Sequence, residues 1–172
     1  MAKTNLHNYS VQEKLNKMDV DLIDVTLTTD VETHSDNDAI ALAIEIPNAV
    51  AVKGGAAIIQ SITLFNLDNS VESPAIELVF IEDETDFSGD EGSAINVTDT
   101  NLLKALGSTT VSNWSTFTPS TNEMASKHNI GMVVKAPSTS TSIYVMAINR
   151  SGGDYTPSGN SALRARIGIV KD

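Results

Sequence analysis

Carboxylates dominate the side chains that could do chemistry in this chain, with 22 Asp and Glu against 11 Lys and Arg. They crowd into the run DETDFSGDEGS, which carries Asp83, Glu84, Asp86, Asp90 and Glu91. Hard cations such as calcium bind several carboxylate oxygens at once. A calcium loop, however, needs a D-x-[DN]-x-[DN]-G order closed by a glutamate at its twelfth position, and no such register fits residues 83–92. The run therefore reads as a solvated loop without a metal. The histidines, His7, His34 and His128, are far apart and form no H-E-x-x-H, and neither G-x-S-x-G nor a phosphate-cradling G-x-x-x-x-G-K-[ST] occurs. His34, Ser35 and Asp36 are adjacent, but a triad converges in space whereas neighbours along an extended chain point apart, so they read as a polar turn. The reading expects no catalytic residues, no cofactor and no enzyme activity. Of the side chains that could bind a ligand, the aromatics Trp114, Phe117, Tyr144 and Tyr155 remain, either packed under their own loops or exposed as a platform for a sugar or a protein partner.

Charge is unevenly spread. The chain has net charge -11, with +1 over residues 1–20, -16 over residues 21–100, where Lys53 is the single base, and +4 over residues 101–172. An acidic body without a basic stripe repels phosphate backbones, so nucleic acid is not an expected partner. It keeps a β-rich protein soluble, or it complements a basic partner surface. There is no cysteine, which excludes disulfides, thiolate metal sites and cysteine nucleophiles. The opening MAKTNLHNYS has no apolar core and no run of about 18 apolar residues occurs anywhere, so neither a signal peptide nor a membrane span is expected.

The elements that must position these residues are strands. The longest apolar segment runs from Gly54 to Ile81. Its first half alternates, with Ile58, Ile62 and Leu64 on one side and Ser61, Thr63 and Phe65 on the other. After a polar insert and Pro74, Ile76, Leu78 and Phe80 face away from Glu77 and Val79. This predicts two antiparallel strands at the centre of a β-sandwich core. Upstream, Ile23, Val25 and Leu27 oppose Asp24, Thr26 and Thr28, and in AIALAIEI the bulky Ile40, Leu42, Ile44 and Ile46 oppose three alanines and Glu45. Downstream, TDTNLLKALG predicts a short helix capped by Thr98 or Asp99, with Leu102, Leu103 and Leu106 closing one end of the sandwich and Gly107 just past its end. A Ser/Thr/Asn-rich stretch then carries Trp114 and Phe117. Three more strands follow, in GMVVKA, TSIYVMAINR and ALRARIGIV, with Leu163, Ala165, Ile167 and Ile169 opposite Arg164, Arg166 and Gly168. The fold class is all-β: a β-sandwich or jelly-roll-like pair of antiparallel sheets with one short helix.

The first residues differ from the rest. Ser10 and Glu13 form a capping box, and Val11, Leu15 and Met18 fall on one helical stripe beside Lys14 and Lys17. Burying three side chains is worth ~5 kcal/mol at ~1.5 to 3 each, while ordering the arm costs about 1 to 2 kcal/mol per residue. Such an arm needs its own domain, a neighbouring copy or another protein to become ordered. The division is thus an N-terminal arm, residues 1–19, and a β-sandwich domain, residues 20–172.

From about residue 50 onward, GGAAIIQSITLFNLD, AIELVFI, LLKALG, NIGMVVKA, STSIYVMAINR, DYT and the closing LRARIGIVKD together resemble small virion proteins of tailed bacteriophages, the head decoration or cement proteins. The resemblance implies a β-sandwich made in the host cytoplasm and carried on the capsid surface of the virion. Its partner would be the major capsid protein, and it would act as a homo-oligomer, dimer or trimer, bridging capsomers to stabilise the shell. Val11, Lys14, Leu15, Lys17 and Met18 would then be the docking arm. The competing reading is a carbohydrate-binding or host-attachment module of a virion, contacting its ligand through Trp114, Phe117, Tyr144 and Tyr155.

Overall fold

A computed structural model describes residues 19–27, 30–68, 72–84 and 90–171. The arm residues Val11, Lys14, Leu15, Lys17 and Met18, together with Asp86 of the acidic loop, lie outside the described residues. The strands are β1 (Asp19–Thr26), β2 (Ala39–Ile46), β3 (Ala56–Asn66), β4 (Ile76–Ile81), β5 (Ala105–Val111), β6 (Trp114–Phe117), β7 (Asn122–Lys135), β8 (Ile143–Asn149) and β9 (Leu163–Lys171). One short helix, α1 (Asp99–Leu102), precedes β5. A five-stranded sheet, ordered β1-β9-β3-β7-β6, packs on a four-stranded sheet, ordered β2-β8-β4-β5. Every strand pair is antiparallel, so the fold is the expected all-β sandwich.

The two strands expected to pair with each other do not. β3 runs between β9 and β7 in one sheet and β4 between β8 and β5 in the other. They form the middle of the core from opposite sides of it. The polar connection between them is far longer than a two-residue hairpin turn, so it carries the chain across the sandwich instead of reversing it within a sheet.

Alternation also breaks where strands bulge. The register of β3 slips between Ile59 and Ser61 against both of its neighbours. The inward set is therefore Ala57 and Ile59 before the bulge and Ile62 and Leu64 after it, and Ile58, expected inside, lies half-buried on the outer face. β2 is a strand, and it slips twice, between Ala39 and Ala41 and between Ala41 and Ile44. As a result Ile40 and Ala41 both reach the main core while Leu42 turns to the other face.

The Leu-rich helix is the clearest correction. Thr98 caps α1 as expected, its hydroxyl accepting from the Asn101 N–H at 3.2 Å. The helix is only four residues long, however, and Leu102 and Leu103 are 54% and 86% exposed, so they close nothing. Chain from Ala105 onward is already β5. There Gly107 (φ 153°) serves a close approach, because a Cβ would lie 2.9 Å from Met132 Sδ on the facing sheet. The Ser/Thr/Asn-rich stretch expected to be loop supplies β5, β6 and the start of β7. Its strands pair from one side or lie half-exposed, and neighbours impose their pairing more than hydrophobic period does.

Inside, Leu64, Leu78, Phe80, Val145 and Ile167 are fully enclosed with their neighbours from both sheets. A second cluster, Ala39, Val79, Ile81, Met146 and Ile148, sits on the outer face of the four-stranded sheet. The chain after the acidic loop covers it, with Ile95 and Val97 packed on it and the Ala39 N–H donating to Ser93 O at 3.0 Å. Among the described residues nothing packs over the outer face of the five-stranded sheet, which carries apolar side chains.

Candidate functional site

That open face is ordered by register. Residues directly opposite in antiparallel strands share a face, and four rows cross the sheet from β1 through β9 and β3 to β7. The first is Val20, Val170, Ile58 and Val133; the second Leu22, Gly168, Ser61 and His128; the third Asp24, Arg166, Thr63 and Ser126; the fourth Thr26, Arg164, Phe65 and Met124. The first row is entirely apolar. Val20, Leu22 and Val133 are 67%, 66% and 65% exposed, whereas Ile58 and Val170 are half-buried. The Leu22 side chain leans over Gly168, its Cδ2 3.5 Å from where a Cβ would stand.

The other half of the face is charged and aromatic. Arg166 grips Asp24 with two bonds, Nε to Oδ1 at 2.7 Å and Nη2 to Oδ2 at 2.9 Å. Its guanidinium lies over the Phe65 ring, 5.6 Å from the centroid. The Arg166 hydrogen bonds hold the Asp24 carboxyl below the usual carboxylate range. A shallow depression of about 300 Å³ opens here, lined by Asp24, Thr26, Phe65, Leu67, Arg164 and Arg166 among others. Arg164 is exposed and, among the described residues, has no ion-pair partner. An exposed arginine beside an aromatic ring and the 41% exposed Leu67, with the Asp24 charge nearby, is contact chemistry: a planar donor fork for a carboxylate or a carbonyl, with apolar surface beside it.

The aromatics singled out in the sequence do not converge. Trp114, on β6, is half-buried against the main core, and its Nε1 donates to Pro74 O at 2.6 Å. Phe117, at the end of β6, is 51% exposed. Tyr144, on β8, belongs to the second cluster outside the other sheet; burial, with the nearby Glu45 charge, raises its phenol above the ordinary value. Tyr155 is corrected from surface to core: it is 1% exposed, and its backbone exchanges hydrogen bonds with His34 at 2.8 and 2.9 Å.

His34 is likewise buried, its Nδ1 3.0 Å from Ala39 O and its Nε2 3.1 Å from Asp30 Oδ1. Ser35 and Asp36 do belong to an exposed turn, the Ser35 N–H donating to Asp38 Oδ2 and the Gly152 N–H to Asp36 Oδ1, so the trio points apart as expected. In the acidic run, Asp83 pairs with Lys104 at 2.9 Å, and burial raises the Glu91 carboxyl. Among the described residues no group of three or more His, Cys, Asp or Glu is placed to hold a metal ion.

Two carboxylates missed in the sequence are enclosed at one end of the sandwich. Glu123, on β7, is 1% exposed. It accepts from the Ser73 N–H at 3.0 Å, the Ser73 hydroxyl at 2.6 Å, the Thr116 hydroxyl at 3.1 Å and Asn66 Nδ2 at 3.3 Å. Asp68 accepts from the Ser158 N–H at 2.7 Å, but its Oδ2 and the Tyr155 hydroxyl are buried without a well-formed hydrogen bond. Burial raises the Asp68 carboxyl and, with the Asp68 charge next, raises the Tyr155 phenol. A carboxyl raised in the folded state contributes stability below its unfolded value and loses it as pH climbs through the folded one. Asp68→Asn should therefore raise the thermal midpoint more at pH 7.5 than at pH 4, as followed by circular dichroism. A gain that is equal at both pH values, or larger at pH 4, would contradict this placement.

Compared with known proteins, the chain matches no protein-family model and no curated protein sequence.

Proposed function

We propose that this protein is a structural component of a tailed-bacteriophage virion: a capsid decoration protein that binds the outside of the head and stabilises the shell by bridging copies of the major capsid protein. The observation that carries the reading is the Arg164 depression on the outer face of the five-stranded sheet. It offers an exposed guanidinium, an aromatic ring and an apolar rim on a face built from paired strands, a combination suited to another protein's surface. The sequence resemblance to decoration proteins supports the same class, with a dimer or trimer as the bridging unit, because copies around an axis span more lattice than one. A virion surface location and production in the host cytoplasm follow from that reading.

A glycan-binding module would need aromatic faces gathered on one surface. Here Tyr155 is buried, Trp114 and Tyr144 are half-buried on opposite sheets, and Phe117 alone is exposed.

Purified protein mixed with expanded, undecorated capsids should co-sediment with them, and Arg164→Glu should lower occupancy at limiting protein by about tenfold, the size expected for one central arginine at an interface. Because Arg164 is exposed, the variant should keep its thermal midpoint. Bare capsids together with a positive glycan screen would replace this reading with the attachment module. Full occupancy by the Arg164→Glu protein would move the contact off this face.

A further inference from the structure

The buried ring of His34 stands where the turn before β2, the edge of β2 and the segment after the acidic loop meet, and both of its nitrogens face oxygens. We propose that His34, with Asp30 and Glu91, is a pH-sensitive clasp. The protonated ring fastens the segment from Asp90 to Val97 along β2 and over the outer cluster of the four-stranded sheet, and loss of the ring proton lets that segment open and uncover the cluster. The inference is independent of the virion reading, which rests on the other sheet.

The ring geometry is the first support. His34 is 0% exposed, with Nδ1 3.0 Å from Ala39 O and Nε2 3.1 Å from Asp30 Oδ1. A carbonyl oxygen only accepts, so the single proton of a neutral ring belongs on Nδ1. Nε2 would then turn a lone pair toward a carboxylate oxygen. Among the described residues it makes no aligned hydrogen bond, Asp30 being close but off the line. Such a contact attracts only when Nε2 carries a proton as well. The arrangement is that of an imidazolium between a carbonyl and a carboxylate.

The second support is how lightly the segment is held. Gly92 N–H donates to Ala39 O at 2.9 Å, Ala39 N–H to Ser93 O at 3.0 Å and Ile95 N–H to Asn37 O at 3.3 Å, and the Leu42 amide bonds the Glu91 carboxylate. Ala39 O thus takes both the segment's Gly92 amide and the His34 ring. Ile95 and Val97 pack on the outer cluster, each only half-buried. Segments with so few buried contacts open locally at little cost, so one charge beside them shifts the balance.

Charge around the ring is the third. The ionisable groups of the elements meeting here are Asp30, Asp36 and Asp38 in the ring's own turn, Asp90 and Glu91 on the segment, Glu77 on β4, Arg150 after β8, and Tyr155. Arg150 is engaged by Glu77 at 2.8 Å and by Asn37, and burial raises the Tyr155 phenol. Carboxylates outnumber cations, and a ring proton offsets them. Burial and the Asp30 charge raise the Glu91 carboxyl, although His34 draws it back. A carboxyl raised by folding contributes stability below its unfolded value and loses it as pH climbs through the folded one. A ring that must be charged to hold the segment also loses its part as pH climbs. Both groups therefore act in one sense, toward opening at higher pH.

Amide hydrogen exchange of the full-length protein, followed by NMR and expressed as protection relative to the intrinsic rate at each pH, tests the clasp without any variant. From pH 5 to pH 8, protection of the Ala39, Gly92 and Ile95 amides should fall about tenfold, the lower end for a hydrogen bond to a charged group. Protection of the Leu64 amide in β3 should stay constant. Unchanged protection at the segment, or an equal fall at Leu64, would overturn the proposal. His34→Gln has no titrating ring and should show the same protection at both pH values. Glu91→Gln, at a half-exposed position that leaves the core intact, should reduce the fall to about threefold. A tenfold fall kept by either variant would assign the response to other groups and overturn the clasp.

Discussion

Glu123→Ala should destabilise the sandwich by about 2 to 3 kcal/mol, the loss expected when an enclosed, hydrogen-bonded carboxylate is removed. The side chain is enclosed, and its two oxygens take four donors: the Ser73 amide and hydroxyl, the Thr116 hydroxyl and the Asn66 amide. Truncation takes the partner from the buried Asn66 amide at about 1 to 3 kcal/mol, whereas Ser73 and Thr116 are exposed and can turn to water. Glu123→Gln should cost less, since one oxygen survives, but it turns an amide N–H₂ toward groups that themselves donate. Burial alone would raise this carboxyl, yet the hydrogen bonds from Ser73, Thr116 and Asn66 outweigh it and the net displacement is downward. A carboxyl lowered by folding contributes stability that is present above its unfolded value and is lost as pH falls through the folded one. The wild-type protein should therefore lose this contribution at and below the lower end of the carboxylate range, and the difference between wild type and Glu123→Gln should shrink there. Urea melts at pH 7 and pH 3 measure both effects. A loss under ~1 kcal/mol for Glu123→Ala at neutral pH would show that the four bonds are not holding this end together.

Phe80→Ala should cost about 3 to 5 kcal/mol, the range for emptying a buried phenylalanine site. Phe80 is fully enclosed on β4, opposite Val145 on one side and Gly107 on the other. Gly107 contributes no side chain of its own, and the flexible Met132 side chain fills that place, so how far Met132 shifts sets where in the range the cost falls. Leu64→Ala on β3 should fall between about 2 and 5 kcal/mol, and since β3 and β4 belong to different sheets, the pair tests both sides of the core. Chemical denaturation of both variants provides the measurement. A cost below ~1 kcal/mol at both positions would mean that the inward faces are misassigned.

How much of this was legible beforehand depends on the residue. Phe80, Leu64, Val145 and Ile167 announce their burial, because a two-residue period of large apolar side chains has one economical use. Arg164 and Arg166 could be set opposite the buried face of β9 from alternation alone. Their environment could not: the Asp24 grip, the stacking on Phe65 and the depression beside Arg164 join β1, β3 and β9, which are distant in sequence. Glu123 carried no signal at all in a Ser/Thr/Asn-rich stretch, because its burial depends on Ser73, Asn66 and Thr116 arriving from three other segments. The bulges that turn Ile58 outward, and with it complete the apolar row, leave the hydrophobic pattern of β3 nearly unchanged. Leu102 and Leu103 erred the other way: their type argued for burial, and among the described residues no surface lies close enough to bury them.

By itself the sequence determined the class of this protein: all-β, free of cysteine, acidic in its first half, alternating strongly enough to require two packed sheets, with an amphipathic segment ahead of the first strand. These are properties of local period and composition, which act whatever the partners are. Only the tertiary structure decided which strands are neighbours, and therefore that the strands before and after Pro74 face each other across the core instead of pairing. It also decided that one outer face is covered while the other, among the described residues, presents an apolar row and an exposed arginine. The reason is physical. Strand pairing is chosen by contacts between segments far apart in the chain, and a row of side chains across four strands exists only once three such pairings have been made.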